Sequence, residues 1–173
     1  MSGILFFLFL VIAIIRLYVL KISNIHAKVL LNTGAVEYGQ STTKWLAILH
    51  TLFYFSAFFE GIIRKVTFDL SSFLGFVLIV FSFIMLIWVM RLLGKYWTVK
   101  LIFEENHQLN NHWLFTYVKH PNYFLNIIPE LLGVSLLFHA STTLEVLIIP
   151  YSICLYMRVK KENQLIASIS QSA

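Results

Sequence analysis

Only 12% of the 173 residues are Asp, Glu, Lys or Arg, and a single one is cysteine. So few charges argue against a water-soluble domain, and a lone cysteine excludes a disulfide framework. Cys154 lies in an apolar run, where the expected role is that of a small packing residue. No repeat with a period of roughly 20 to 50 residues occurs, which excludes a solenoid. There is no HExxH, CxxC, Walker loop, GxSxG or Gly-rich dinucleotide turn. The six His have no regular ligand spacing, so no metal is expected. The first apolar run, Leu5 to Ile15, has no Lys or Arg before it and no small-x-small pattern after it, so it is expected to stay attached rather than be removed as a signal peptide.

What the chain does have is apolar surface. Hydrophobic residues make up 59%, with sixteen Phe, eight Tyr and four Trp. One small core cannot bury so much, and a disordered chain would not carry it. The expectation is an all-α integral membrane protein, residues 1–173 as one domain. Five transmembrane helices are expected at about 3–20, 45–63, 70–90, 123–139 and 144–159, against the ~20 residues that a tilted span needs. Only Ala140 to Thr143 separate the last two, so they should form an antiparallel hairpin. The net charge of +5 is spread in short clusters between the spans, not along one stripe, so nucleic acid is not expected as a partner. Arg16, Lys21, Lys28 and Lys44 follow the first span; Arg91, Lys95, Lys100 and Lys119 the third; Arg158, Lys160 and Lys161 the fifth. These eleven cations share one side, opposite Arg64 and Lys65, and the positive-inside rule makes that side cytoplasmic. The N-terminus is then outside and the C-terminus inside. The polar stretches 21–44 and 91–122 face the cytoplasm, and 91–122 reads as an interfacial connector.

Several polar residues stand where hydrocarbon should reject them. Glu130 lies within the fourth span, and Tyr123, Asn126 and Glu130 share one face at helical spacing. They form either the wall of a polar cavity or a stripe in which a neutral Glu is hydrogen-bonded between helices. His50 is either a packing residue or a ligand or base, and Glu60 is expected to pair locally with Arg64 at i+4. Pro121 suits a first helical turn, which sets His120 at the helix mouth beside free N–H groups. Arg158 and Glu162, at i and i+4, should form a helical salt bridge and return to the membrane level of His120. Pro150 is expected to kink the fifth span.

Gly94-Lys95-Tyr96-Trp97, His107-Gln108-Leu109, the run Tyr117 to Tyr123 (Tyr-Val-Lys-His-Pro-Asn-Tyr), and Arg158 to Glu162 together resemble the isoprenylcysteine carboxyl methyltransferase superfamily. Its signature is Arg-His-Pro-x-Tyr followed, one hairpin later, by Arg-x-x-x-Glu-Glu. Gly34 to Gly39, with His50 beyond, is similar to the short bacterial branch, some members of which methylate alkylpyrone hydroxyls. Lys119 stands where the family has Arg, keeping charge without the planar fork. Asn163 replaces the second Glu, and Leu125 a common Gly. The sequence ends at Ala173 without the Phe-Gly-x-x-Tyr tail of the prenylcysteine enzymes, which argues against prenylcysteine as the substrate.

The resemblance implies S-adenosyl-L-methionine as cofactor, held in a cytoplasmic-face pocket by His107 and Leu109 (largely through backbone), Tyr117, His120, Pro121, Tyr123, Arg158 and Glu162. It implies O-methylation of a lipophilic small-molecule acceptor taken from the bilayer and membrane lipids, either an alkylpyrone-type hydroxyl or an isoprenylcysteine-type carboxylate. Arg158 would meet the cofactor's carboxylate or the acceptor's oxygen. Glu130 or His50 is the candidate base for a neutral hydroxyl. A bacterial plasma membrane is the expected location. The alternative is a non-catalytic multi-span scaffold that binds lipid along the same polar stripe.

Overall fold

The computed structural model describes residues 1–104 and 112–172, with side chains up to 167. Its elements are α1 (Gly3–Asn32), β1 (Val36–Tyr38), α2 (Gln40–Ile63), α3 (Leu70–Leu93), β2 (Leu101–Phe103), α4 (Trp113–Tyr117), a wide π-helical turn (Asn122–Ile127) continued by α5 (Ile128–Leu137), and α6 (Ser141–Ser172). Among the described residues the protein is thus all-α apart from one short antiparallel ribbon, with Val36 opposite Phe103 and Tyr38 opposite Leu101. α1, α2, α3 and α6 are each long and apolar enough to cross a membrane, and the helix over Asn122–Leu137 is a shorter apolar one. Phe7, Ile14, Leu17, Ile63, Leu70, Ile149 and Ile153 stand exposed along these helices. Bilayer is the solvent that such surfaces require.

Two helices run well past the apolar windows. Hydrocarbon thickness limits the greasy run, but backbone hydrogen bonding continues wherever a polar helix finds packing partners. α1 extends to Asn32 because its polar last turns carry the 94–103 segment: Val99 N donates to Ser23 Oγ at 2.8 Å, and His26 Nδ1 lies 2.9 Å from Trp97 O. Ala27 and Leu30 pack with Ala35, just before β1, and Ile102 of β2. The stretch expected as an interfacial connector is therefore partly a folded cap over α1. α3 ends at Gly94, whose φ of +53° lets the chain turn off the helix without a Cβ clash.

At the other end of the bundle, the α5–α6 turn is as tight as expected. Glu60 pairs with Arg64 at 2.7 Å and also accepts from the N–H groups of Thr142 and Thr143 at 3.1 and 2.8 Å. A carboxylate from α2 thus caps the N-terminus of α6, where the helix dipole favours an anion. α6 stays helical through Pro150.

Beneath that turn, α3 and α5 touch backbone to backbone. A Cβ on Gly75 would lie 2.4 Å from Leu137 N and 2.5 Å from Gly133 O, and one on Gly133 would lie 2.8 Å from Gly75 O. Small residues at a crossing replace the hydrophobic drive that lipid does not supply between helices. Gly75→Ala is expected to force the helices apart and cost about 1–3 kcal/mol. Gly3→Ala, which meets nothing within 4 Å, should be neutral. Denaturant unfolding of the two variants in mixed micelles checks the difference.

Candidate functional site

At the end of the bundle away from the α5–α6 turn, the close of α3, the 94–103 segment, α4, the π turn that precedes α5, and α6 enclose a cavity of about 960 Å³. That is at the upper end for a cofactor or small-molecule site. Its wall brings His120, Pro121, Asn122 and Tyr123 against Arg158, Glu162 and Asn163, with Lys95, Tyr96, Trp97, Thr98 and Lys100 on the facing segment. The convergence expected of the last two crossings is present.

Tyr123 is the link. Its hydroxyl donates to Glu162 Oε2 at 2.7 Å and accepts from Arg158 Nε at 3.2 Å. The i, i+4 bridge expected between Arg158 and Glu162 is therefore replaced by a relay through a third residue. The reason is tertiary competition: Arg158, 4% exposed, also donates to the Thr43 hydroxyl on α2 and to Val99 O at 2.7 Å. A buried guanidinium needs acceptors for its N–H groups, and these lie away from Glu162.

His120 is buried with Nε2 2.9 Å from Asn163 Oδ1 and Nδ1 3.5 Å from Glu162 Oε1. The second contact is long for a hydrogen bond and leaves Nδ1 without one. Contact with the Glu162 carboxylate, and then its charge, raises His120 above the ordinary imidazole value against the opposing effect of burial. Trp97 Nε1 is a second buried atom of the wall without a hydrogen-bond partner. Both residues belong to the cavity wall, and buried polar atoms without a partner are uncommon in folded proteins.

The other expected residues fall elsewhere. Tyr117, on α4, is 82% exposed and off the wall. His107 and Leu109 lie outside the described residues. Glu130 and His50 do not line the cavity either. Glu130, fully buried, is ion-paired to Arg16 of α1 and accepts the hydroxyl of Tyr54. His50 Nδ1 lies 3.0 Å from Tyr151 OH. Of the two meanings open for Glu130, it takes the interhelical one, but paired with a cation.

Arg16 is the residue that sequence reasoning misplaced. Counted among the loop cations, it sits inside the continuous α1, and Arg16 Nη2 donates to Asn126 Oδ1 at 3.2 Å. The signal was available: Arg16 is flanked by Ile14 and Ile15 on one side and Leu17 to Leu20 on the other. A cation so placed needs an anion from another span, and Glu130 is one. Asn122, Trp97 and Lys95 were not singled out as wall residues. Asn163 was noted only as a departure.

The model of the isoprenylcysteine carboxyl methyltransferase (ICMT) family matches residues 74–168. That stretch contains most of α3, the cavity wall and most of α6. A protein of Haemophilus influenzae described as an uncharacterized protein is 40% identical over 161 residues, covering 93% of this chain and 94% of its own length. Uncharacterized protein YpbQ of Bacillus subtilis is 28% identical over 138 residues, 79% of this chain and 81% of its own. No solved structure matches.

Two stability measurements check the geometry. Glu130→Leu strands the half-buried Arg16 guanidinium within an apolar helix and should cost about 3 kcal/mol, whereas Arg16→Met combined with Glu130→Leu should recover most of it. Because His120 titrates higher in the folded state, its contribution is fully present below the ordinary value of about 6.5 and is lost as pH rises through the raised one. The melting temperature of the wild type should therefore fall across that window more steeply than that of His120→Gln.

Proposed function

Because the chain belongs to the isoprenylcysteine carboxyl methyltransferase family, a family of membrane methyltransferases, we propose that it is an S-adenosyl-L-methionine-dependent O-methyltransferase acting on a lipophilic acceptor. The observation that carries this is the meeting of His120 and Tyr123 with Glu162 and Asn163 on one wall of the ~960 Å³ cavity. The cavity suits the cofactor by its donor set. It has aromatic faces in Tyr96 and Trp97, one carboxylate in Glu162, and unpaired polar atoms at Trp97 Nε1 and His120 Nδ1. Glu162 would accept from the cofactor's ammonium or ribose hydroxyls. Lys95 or Lys119 would face its carboxylate, because Arg158 is occupied by Thr43 and Val99. When bound, the cofactor supplies a methyl group on a sulfonium sulfur, open to in-line displacement by an acceptor oxygen.

The residues of the chain do the rest by placement and by excluding water. Tyr123 holds Glu162 in place, and Arg158 ties α6 to α2 and to the 97–100 segment, so the wall is closed on the bundle side. An acceptor that is already anionic, a carboxylate or an acidic enol, needs no strong general base. We assign Glu130 to holding Arg16 rather than to proton transfer. Of the two acceptor types, an acidic enol of the alkylpyrone kind fits this assignment as well as a carboxylate does. The cation count still favours the cavity end as cytoplasmic once Arg16 is removed from it, since ten remain against two.

Calorimetric titration of the purified protein with S-adenosylhomocysteine tests the proposal. One-to-one binding is expected, weakened roughly tenfold in Glu162→Gln, where a charge-assisted contact is lost. The absence of heat at high micromolar ligand would overturn it. Incubation of lipid extract with methyl-labelled donor should place label in the organic phase.

A further inference from the structure

A chain of hydrogen bonds runs from the middle of the bundle to the cavity wall, and its direction is forced. Arg16 can only donate, and Glu130 accepts from it and from the Tyr54 hydroxyl. Asn126, 1% exposed, lies one step further, where Arg16 Nη2 and Ser82 Oγ both donate to Oδ1 at 3.2 and 2.9 Å. Its amide orientation is therefore determined, and Nδ2 must be the donor on the other side. Asn126 Nδ2 donates to Asn122 Oδ1 at 3.2 Å. Asn122 must in turn accept with its oxygen, which leaves the two N–H bonds of its own Nδ2. That nitrogen has no partner among the described residues, and Asn122 belongs to the cavity wall. The wide π turn contributes: Ile128 N–H bonds back to Tyr123 O, one residue further than in an α-helix, just before Pro129, which has no N–H for Leu125 O. Asn122, Tyr123 and Asn126 lie on that turn.

We propose that Arg16, Glu130 and Asn126 are positioning residues that fix the polarity of Asn122, so that its amide N–H donates to an oxygen of whatever occupies the cavity. In the methyltransferase reading, on which this rests, that oxygen belongs either to the cofactor or to the acceptor. A neutral amide of either orientation would fill the same space. The buried ion pair selects one of them, which gives a costly intramembrane charge pair a purpose beyond stability.

Calorimetry with two probes, S-adenosylhomocysteine and dodecanoate, separates the sources. Asn126→Asp keeps acceptors for Arg16 and Ser82 but removes the N–H, so Asn122 turns over and presents its carbonyl. Affinity for one probe should fall roughly tenfold, the size of one lost hydrogen bond to a charged group, with the melting temperature retained. The probe that weakens identifies the source. Asn122→Ala should weaken the same probe, and Asn122→Ala combined with Asn126→Asp should be no worse than Asn122→Ala alone. A purely structural role would instead give additive losses. Asn122→Asp, which stays informative if Asn126→Asp does not fold, should bind that probe more weakly than Asn122→Ala. Wild-type affinity for both probes in a folded Asn126→Asp, additive losses, or an Asn122→Asp that binds as well as Asn122→Ala overturns the proposal. So does a wild type that binds neither probe. Dodecanoate binding without S-adenosylhomocysteine binding, with the variants behaving as expected, overturns only the cofactor reading.

Discussion

A carboxylate among hydrocarbon helices cannot stand alone, and much of this fold follows from how Glu130 is accommodated. Its partner comes from α1 and its second contact from Tyr54 of α2, so three helices are tied at one buried point. Hydrophobic packing between helices in a bilayer is non-directional and contributes little to register. The ion pair is directional. It fixes the rotation of α5 and the π turn before it, and with it the face on which Tyr123 and Asn122 reach the cavity. The glycine contact between α3 and α5 sets the distance that the ion pair then orients.

The two ends of the bundle show the same logic with different results. At the α5–α6 turn, Glu60 satisfies the free N–H groups of Thr142 and Thr143, and the end is closed. At the cavity end, His120 and Trp97 each keep a buried atom without a hydrogen bond. The first end is tied by a carboxylate of the neighbouring helix, whereas the cavity wall keeps two polar atoms that its own side chains leave unmatched.

The relay through Tyr123 illustrates how far local spacing can be trusted. Arg158 and Glu162 are correctly spaced for a helical pair, yet a buried guanidinium gains more from Thr43 and Val99 O than from a neighbour on its own helix. The same applies to Arg16. An apolar window ending near residue 20 made it look like a boundary cation, but the helix does not end there. The ribbon between β1 and β2 carried no readable signal, because each strand is three residues long and the partners are more than sixty positions apart.

From the amino-acid order alone came the membrane class, the tight α5–α6 hairpin, and the return of Glu162 to the level of His120 and Tyr123. These depend on length, hydropathy and helical rise, which are local properties. The identity of Arg16 as the partner of Glu130, the replacement of the Arg158–Glu162 bridge and the amide direction at Asn122 were decided only by the packed structure. Each is a choice among several chemically adequate partners. That choice depends on which donors and acceptors the other helices leave within reach, and spacing along one chain does not contain it.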